Sequence, residues 1–169
     1  MDFLNDPDMK EIVEDFGKEA KAIFGECEEE LNLLEDDLTQ KKHLEAFGQK
    51  IDRVMGAAKS IGLDEISLYC ELGKTIGYKS SQGKDLALTE VVVAILFDSI
   101  DLLNKMVDAL LLGKKELTAN INLKAFGTRL HWLSAKFKDI ERASCTVKEE
   151  EKSGMDQGGI DDLLKDLGL

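Results

Sequence analysis

Apolar residues recur every three or four positions along most of this chain, and Val and Ile never fall into alternating runs, which predicts helices rather than strands. Val13, Phe16, Ala20, Ile23, Cys27, Leu31 and Leu34 give a first helix one buried stripe. It should start near Asp6, with Pro7 in its first turn, and run towards Leu34 or Leu38. After the acidic turn Glu35-Asp36-Asp37, Thr39 is the expected cap of a second helix. That helix carries Leu44, Phe47, Ile51, Val54, Met55, Ala58 and Ile61 and stops at Gly62. Asp64 should cap a third, bearing Ile66, Tyr69, Leu72 and Ile76, before an exposed loop over residues 79–84. A fourth helix, from Leu88 or Thr89 to Leu112, has a broad apolar face through Val92, Val93, Leu96, Ile100, Leu103, Met106, Val107 and Leu110. Such width suits the central helix of a bundle. The fifth repeats through Leu123, Phe126, Leu130, Leu133, Phe137 and Ile140.

Past Ser144 the periodicity disappears, and residues 145–159 read as a flexible, charged, glycine-bearing linker. Residues 160–169 then place Ile160, Leu163, Leu164 and Leu167 on one helical face, interspersed with Asp161 and Asp162. So short a helix is not stable alone, and suits a peptide that folds onto a partner. A terminal helix packing back on its own bundle is the other reading. The expected architecture is all-α: a four- or five-helix up-down bundle over residues 1–144, the linker 145–159, and the amphipathic peptide 160–169.

Composition narrows the function. The net charge of −12 argues against nucleic acid and against an anionic membrane surface. The longest apolar run, Val91 to Phe97, cannot span a bilayer, and the start does not resemble a signal peptide. Cys27, Cys70 and Cys145 show no paired spacing and fit reduced thiols in a cytoplasmic protein. Two lone histidines, His43 and His131, offer no metal-ligand set and read as structural.

On the second helix, at about 100° per residue, Glu45, Gln49, Asp52 and Gly56 share a strip roughly 60° wide, roughly 140° from the core stripe. A solvated polar face is the plain reading. The alternative comes from motif resemblance. The stretch Asp52-Arg53-Val54-Met55-Gly56-Ala57-Ala58-Lys59-Ser60-Ile61-Gly62 resembles the H-x-x-K-G-x-A-x-x-x-G signature of histidine-phosphotransfer domains. With its flanks, including residues 97–103, it looks most like the phosphotransfer domain of the chemotaxis kinase CheA. Asp52 stands where the histidine would be and Met55 where the lysine would be, so the resemblance implies a docking platform without its phosphoryl acceptor.

A second resemblance overlays the first. The run Glu45-Ala46-Phe47-Gly48-Gln49-Lys50-Ile51-Asp52-Arg53-Val54-Met55 is similar to the D-x-x-x-Q pair and following residues of the chemotaxis phosphatase family CheZ. Gln49 falls on the catalytic glutamine and Glu45 on the aspartate, one methylene longer. Phosphatases of the CheC and CheX type use Glu in the acidic role. The stretch 159–169 resembles the CheY-binding peptide of CheZ and that of the flagellar switch protein FliM. Together these imply a phosphatase for a CheY-type response regulator in chemotaxis. Gln49 would orient water, Glu45 would engage the regulator's lysine, and Asp52, Gly56, Ile160, Asp161, Asp162, Leu163, Leu164 and Leu167 would contact the partner. No cofactor of its own is implied; Mg2+ is expected in the regulator. A homodimer is left open. The rival expectation is a pseudo-phosphotransfer adaptor that binds or sequesters a regulator without catalysis.

Overall fold

The structure, a computed structural model, describes the backbone of residues 7–119, 121–145 and 158–169. Among them every regular element is a helix: α1 (Pro7–Asp36), α2 (Lys42–Ser60), α3 (Asp64–Ser81), α4 (Leu86–Leu111), α5 (Leu123–Cys145) and α6 (Gly158–Asp166). They form two compact units, Met1–Ile121 and Asn122–Leu169. The sequence carries the bundle on to residue 144; in the structure α5 instead shares a unit with α6. Residues 146–157, most of the expected linker, lie outside the described residues.

The first unit is a closed four-helix bundle. α2 packs on α1, α3 on α2, α4 on α3, and α4 returns to α1. The connections are short, so successive helices run antiparallel. The stripes foreseen for α1, α2 and α4 are buried, apart from half-buried Met55 on α2 and Ile61 just past its end, and Phe24 joins them at zero exposure. α4 contributes the most central wall, with Val92, Leu96, Ile100, Met106 and Val107 all fully enclosed. Its two buried hydroxyls are satisfied locally: Ser99 Oγ donates to the Ile95 carbonyl (2.9 Å) and Thr89 Oγ1 to the Asp85 carbonyl (2.8 Å). A hydroxyl left unpaired in such a core would be costly, and this back-bonding satisfies both.

Helix ends differ in part from expectation. Thr39 does not cap α2; its amide and hydroxyl both donate to Asp37 Oδ1, at 3.0 and 2.6 Å, closing a turn before the helix. These bonds hold the Asp37 carboxyl below its ordinary pKa. α3 continues through Ser81 into the expected loop, and Asp64 is its first helical residue rather than its cap. Asp85 caps α4, its carboxylate accepting from the Leu88 amide at 3.0 Å. Gly62 ends α2 at φ 77°, with its amide bonded to the Lys59 carbonyl and that of Leu63 to Ala58, the paired bonds of a Schellman stop.

The α2–α3 interface is the most extensive. It is built on Phe47, which is fully buried and lies beside two α3 glycines one turn apart. A Cβ at Gly77 would sit 3.4 Å from the Phe47 ring and 3.6 Å from the Leu44 carbonyl oxygen; at Gly73 the ring is 3.9 Å away. A methyl at Gly77 would already touch the ring and the carbonyl, and one at Gly73 would just reach the ring. The aromatic ring therefore occupies space that side chains would otherwise fill.

Two substitutions one residue apart should separate core from ridge. Phe47→Ala should lower unfolding free energy by about 3–5 kcal/mol. Gly48→Ala, where nothing lies within 4 Å of the new methyl, should raise it by roughly 0.5–1 kcal/mol. Urea denaturation followed by circular dichroism checks both.

Candidate functional site

Because Leu44, Phe47, Ile51 and Val54 are drawn into the core, the opposite strip of α2 faces outward. Glu45 and Gln49 are exposed, one turn apart, and neither forms a hydrogen bond or ion pair with any described residue. Gly56 is exposed on the same strip and Gly48 half-exposed beside it; no atom comes within 4 Å of where either Cβ would be. Asp52 is different. It is half-buried, and its carboxylate accepts from Lys74 Nζ of α3 at 2.5 Å. Asp52 is thus an acid held by a cation from the neighbouring helix.

The other edge of the strip is a rail of charge pairs joining α2 to α1. Lys50 reaches Glu26 at 3.1 Å and Glu30 at 3.6 Å, His43 Nδ1 meets Glu30 at 2.7 Å, and Arg53 meets Glu19 at 3.4 Å. The hydrogen bond that Lys50 donates to Glu26 raises the Lys50 pKa. Individually such surface pairs add little stability. Their effect is directional: Lys50 and Arg53 turn towards α1, and Lys74 leans in from α3 to Asp52, so Glu45 and Gln49 keep their own groups free beside these pairs. His43 is accordingly a partner of Glu30 rather than of the strip.

Residues 160–169 do not stand apart from α5. Ile160, Leu163 and Leu164 are buried, Leu167 and Asp161 are half-buried, and Asp162 is exposed. α6 packs on α5, whose Phe126, Leu130, Leu133 and Phe137 are buried in turn. Ser134 Oγ donates to Asp161 Oδ1 at 2.7 Å, and Lys138 Nζ donates to Oδ2. Lys138, then Ser134, hold the Asp161 carboxyl below its ordinary value of 3.8, with His131 adding a weaker pull. The aliphatic face was legible in the sequence. Lys74, Ser134 and Lys138 were not singled out there, because each acts across a helix–helix contact that no local spacing encodes.

Other features give no further candidate for catalysis. Cys27 and Cys70 are buried free thiols; burial pushes Cys27 up to about 12 and raises Cys70 too, so neither is a ready nucleophile. Among the described residues no group of three or more His, Cys, Asp or Glu is placed to hold a metal. No described helix is long and apolar enough to cross a membrane. A cleft of about 530 Å³ between the start of α1, the α2–α3 turn and the end of α4 is lined by Val13, Leu63, Leu110 and Leu112, and contains none of the candidate residues. Comparison of the chain with protein-family models, curated proteins and solved structures finds no match.

The Asp161 clamp sets a pH dependence for the α5–α6 pairing. Its folded pKa lies below the unfolded value, so its contribution is complete above about 3.8 and is lost as pH falls through the lowered value. Amide protection in residues 160–167 should therefore hold between pH 7 and 5 and drop at lower pH. In Asp161→Asn that acid step should vanish, which hydrogen exchange read by mass spectrometry can measure.

Proposed function

We propose that this chain docks a phosphorylated response regulator of the CheY type on the exposed strip of α2 and accelerates hydrolysis of its aspartyl phosphate. The observation that carries this reading is the unpartnered Glu45–Gln49 pair, one turn apart on an open ridge beside Lys50, Arg53 and Asp52, each of which is paired with a neighbouring helix. An exposed acid and amide left without partners, beside glycines that let a second surface approach closely, suit a site completed by another protein. The likeness to the phosphatase pair, and to the phosphotransfer scaffold around it, supports the same partner.

In this reading a water oxygen attacks phosphorus in line, the bond from phosphorus to the regulator's aspartyl oxygen breaks, and inorganic phosphate leaves with the carboxylate restored. Mg2+ belongs to the regulator's own site and neutralises charge on the phosphoryl group there. The Gln49 amide oxygen accepts a hydrogen bond from the attacking water, while its NH2 can donate to a phosphoryl oxygen. It takes no proton and forms no covalent bond; its role is positioning. Glu45 pairs with a lysine of the regulator and so fixes Gln49 in register. The extra methylene relative to aspartate extends the reach of that carboxylate across the ridge. Asp52 cannot accept a phosphoryl group as a histidine does, and its pairing with Lys74 gives it a shaping role. The tail, through Ile160, Asp161, Asp162, Leu163, Leu164 and Leu167, tethers the regulator and raises its local concentration.

The experiment is decay of phosphorylated regulator against concentration of this protein, with regulator affinity measured in parallel. Gln49→Ala should leave affinity nearly intact and slow the accelerated decay by about a hundredfold or more, since its contact belongs mainly to the transition state. Glu45→Ala should weaken both affinity and rate, because its ion pair forms in the ground state too. Full activity in Gln49→Ala removes the catalytic assignment. Binding without any acceleration by the wild-type chain makes it a non-catalytic adaptor instead.

A further inference from the structure

The face of α6 that the proposed function offers to a regulator is already in use within the chain. Ile160, Leu163 and Leu164 are among the most enclosed residues of the second unit, at 1%, 8% and 1% exposure. They lie with the apolar stripe of α5, where Phe126, Leu130, Leu133 and Phe137 are equally enclosed. A nine-residue helix does not persist unaided in water, so α5 is what keeps α6 helical.

The fit has polar detail as well as apolar burial. Ser134 and Lys138 are one turn apart at the edge of the α5 stripe. Both donate to the one carboxylate of Asp161, and Ser134 is itself only 2% exposed. That arrangement selects an acid immediately after the first aliphatic residue of the incoming helix. At the other end Gly168, at φ 70°, turns the chain. The Leu169 amide bonds to the Leu164 carbonyl at 2.8 Å and that of Gly168 to Lys165 at 3.1 Å. Leu169 then folds over Gly127 of α5, 3.5 Å from where a Cβ there would be. The α5 surface therefore reads the sequence of α6 at its start, its middle and its end.

We propose that α5 is a built-in dock for α6, clamping Asp161 through Ser134 and Lys138 over a shared apolar stripe, and that a regulator gains the tail only by displacing it from this dock. This rests on the proposed function for the identity of the competitor, though not for the dock itself. The two occupants are mutually exclusive because each needs Ile160, Leu163 and Leu164. The apparent affinity for the regulator is then the intrinsic affinity reduced by the fraction of chains whose tail is free. The chain's own α5 thus sets the threshold at which regulator is captured.

The test uses the full chain, its double variant Ser134→Ala/Lys138→Ala, and Lys138→Arg, which keeps a donor for Asp161. Methyl NMR of Ile160, Leu163 and Leu164 reads the dock without any regulator, and titration with a phosphorylated CheY-type regulator reads the competition. Expected are Overhauser contacts from these methyls to α5 in wild type and Lys138→Arg, weakened in the double variant. The double variant should bind regulator about tenfold more tightly, the factor for opening a latch closed roughly nine-tenths of the time. Saturating regulator should abolish the contacts in wild type. Absence of the contacts in the free wild-type chain overturns the dock whatever the regulator does. Contacts that survive saturating regulator, or equal affinity in wild type and double variant, overturn the exchange. Contacts present with no regulator binding in any variant overturn the exchange through the failure of the proposed function, and leave α5 as the place where α6 resides.

Discussion

The placement of Phe47 against Gly73 and Gly77 is the constraint on which the candidate site depends. A ring this large, fully enclosed on a helix with Leu44 three positions before it and Ile51 four positions after it also buried, fixes the rotation of α2 about its axis. Rotation in turn decides what is outside. Glu45 and Gln49 each lie two positions from Phe47, so they are directed away from α3 by the same packing that draws the ring in. The absence of side chains at two successive turns of α3 gives the ring its room. The chemistry of the ridge is thus a by-product of core shape, and nothing on the ridge itself has to hold Glu45 or Gln49 in place.

Charge completes what packing begins. α2 carries Lys50 and Arg53 close to the acid–amide pair, and left alone they would neutralise or crowd it. The glutamates of α1 hold both cations to one side, and Lys74 holds Asp52 on the other. Each pair is weak as a stabilising contact, yet the set partitions the surface into committed charge and free groups. The strongly acidic chain invests part of its excess in this way: Glu19, Glu26 and Glu30 have defined tasks on α1.

Much of this was legible from spacing. The stripes of α1, α2 and α4 emerged correctly because a single buried face leaves a three-and-four repeat, and the exposed strip of α2 followed by subtraction. The start of α2 did not, since Thr39 is a good capping residue that Asp37 recruits into a turn first. The helix boundary at residues 79–84 failed for a related reason: serine, glycine and lysine composition resembles a loop, while the burial of Ser80 holds the last turn of α3 in place. The grouping of α5 with α6 was beyond reach. The apolar face of α5 has the same periodicity as any bundle helix, and periodicity says that a face is buried without saying against what. Ser134 and Lys138 illustrate the limit, being ordinary residues until Asp161 is brought opposite them.

The order of packing around the bundle has a kinetic consequence. Three of its four interfaces, α1–α2, α2–α3 and α3–α4, join helices adjacent in the chain, and only the α4–α1 closure is long-range. Topologies dominated by such local contacts form quickly, because little loop entropy is lost before contacts reward it. The α2–α3 hairpin, with the Phe47 contact inside it, closes over a short turn at residues 61–63, so its contacts are among the most local in the bundle. The surface that carries Glu45 and Gln49 can therefore take shape early, as a property of one hairpin, with ring closure by α1 and α4 serving to make it permanent.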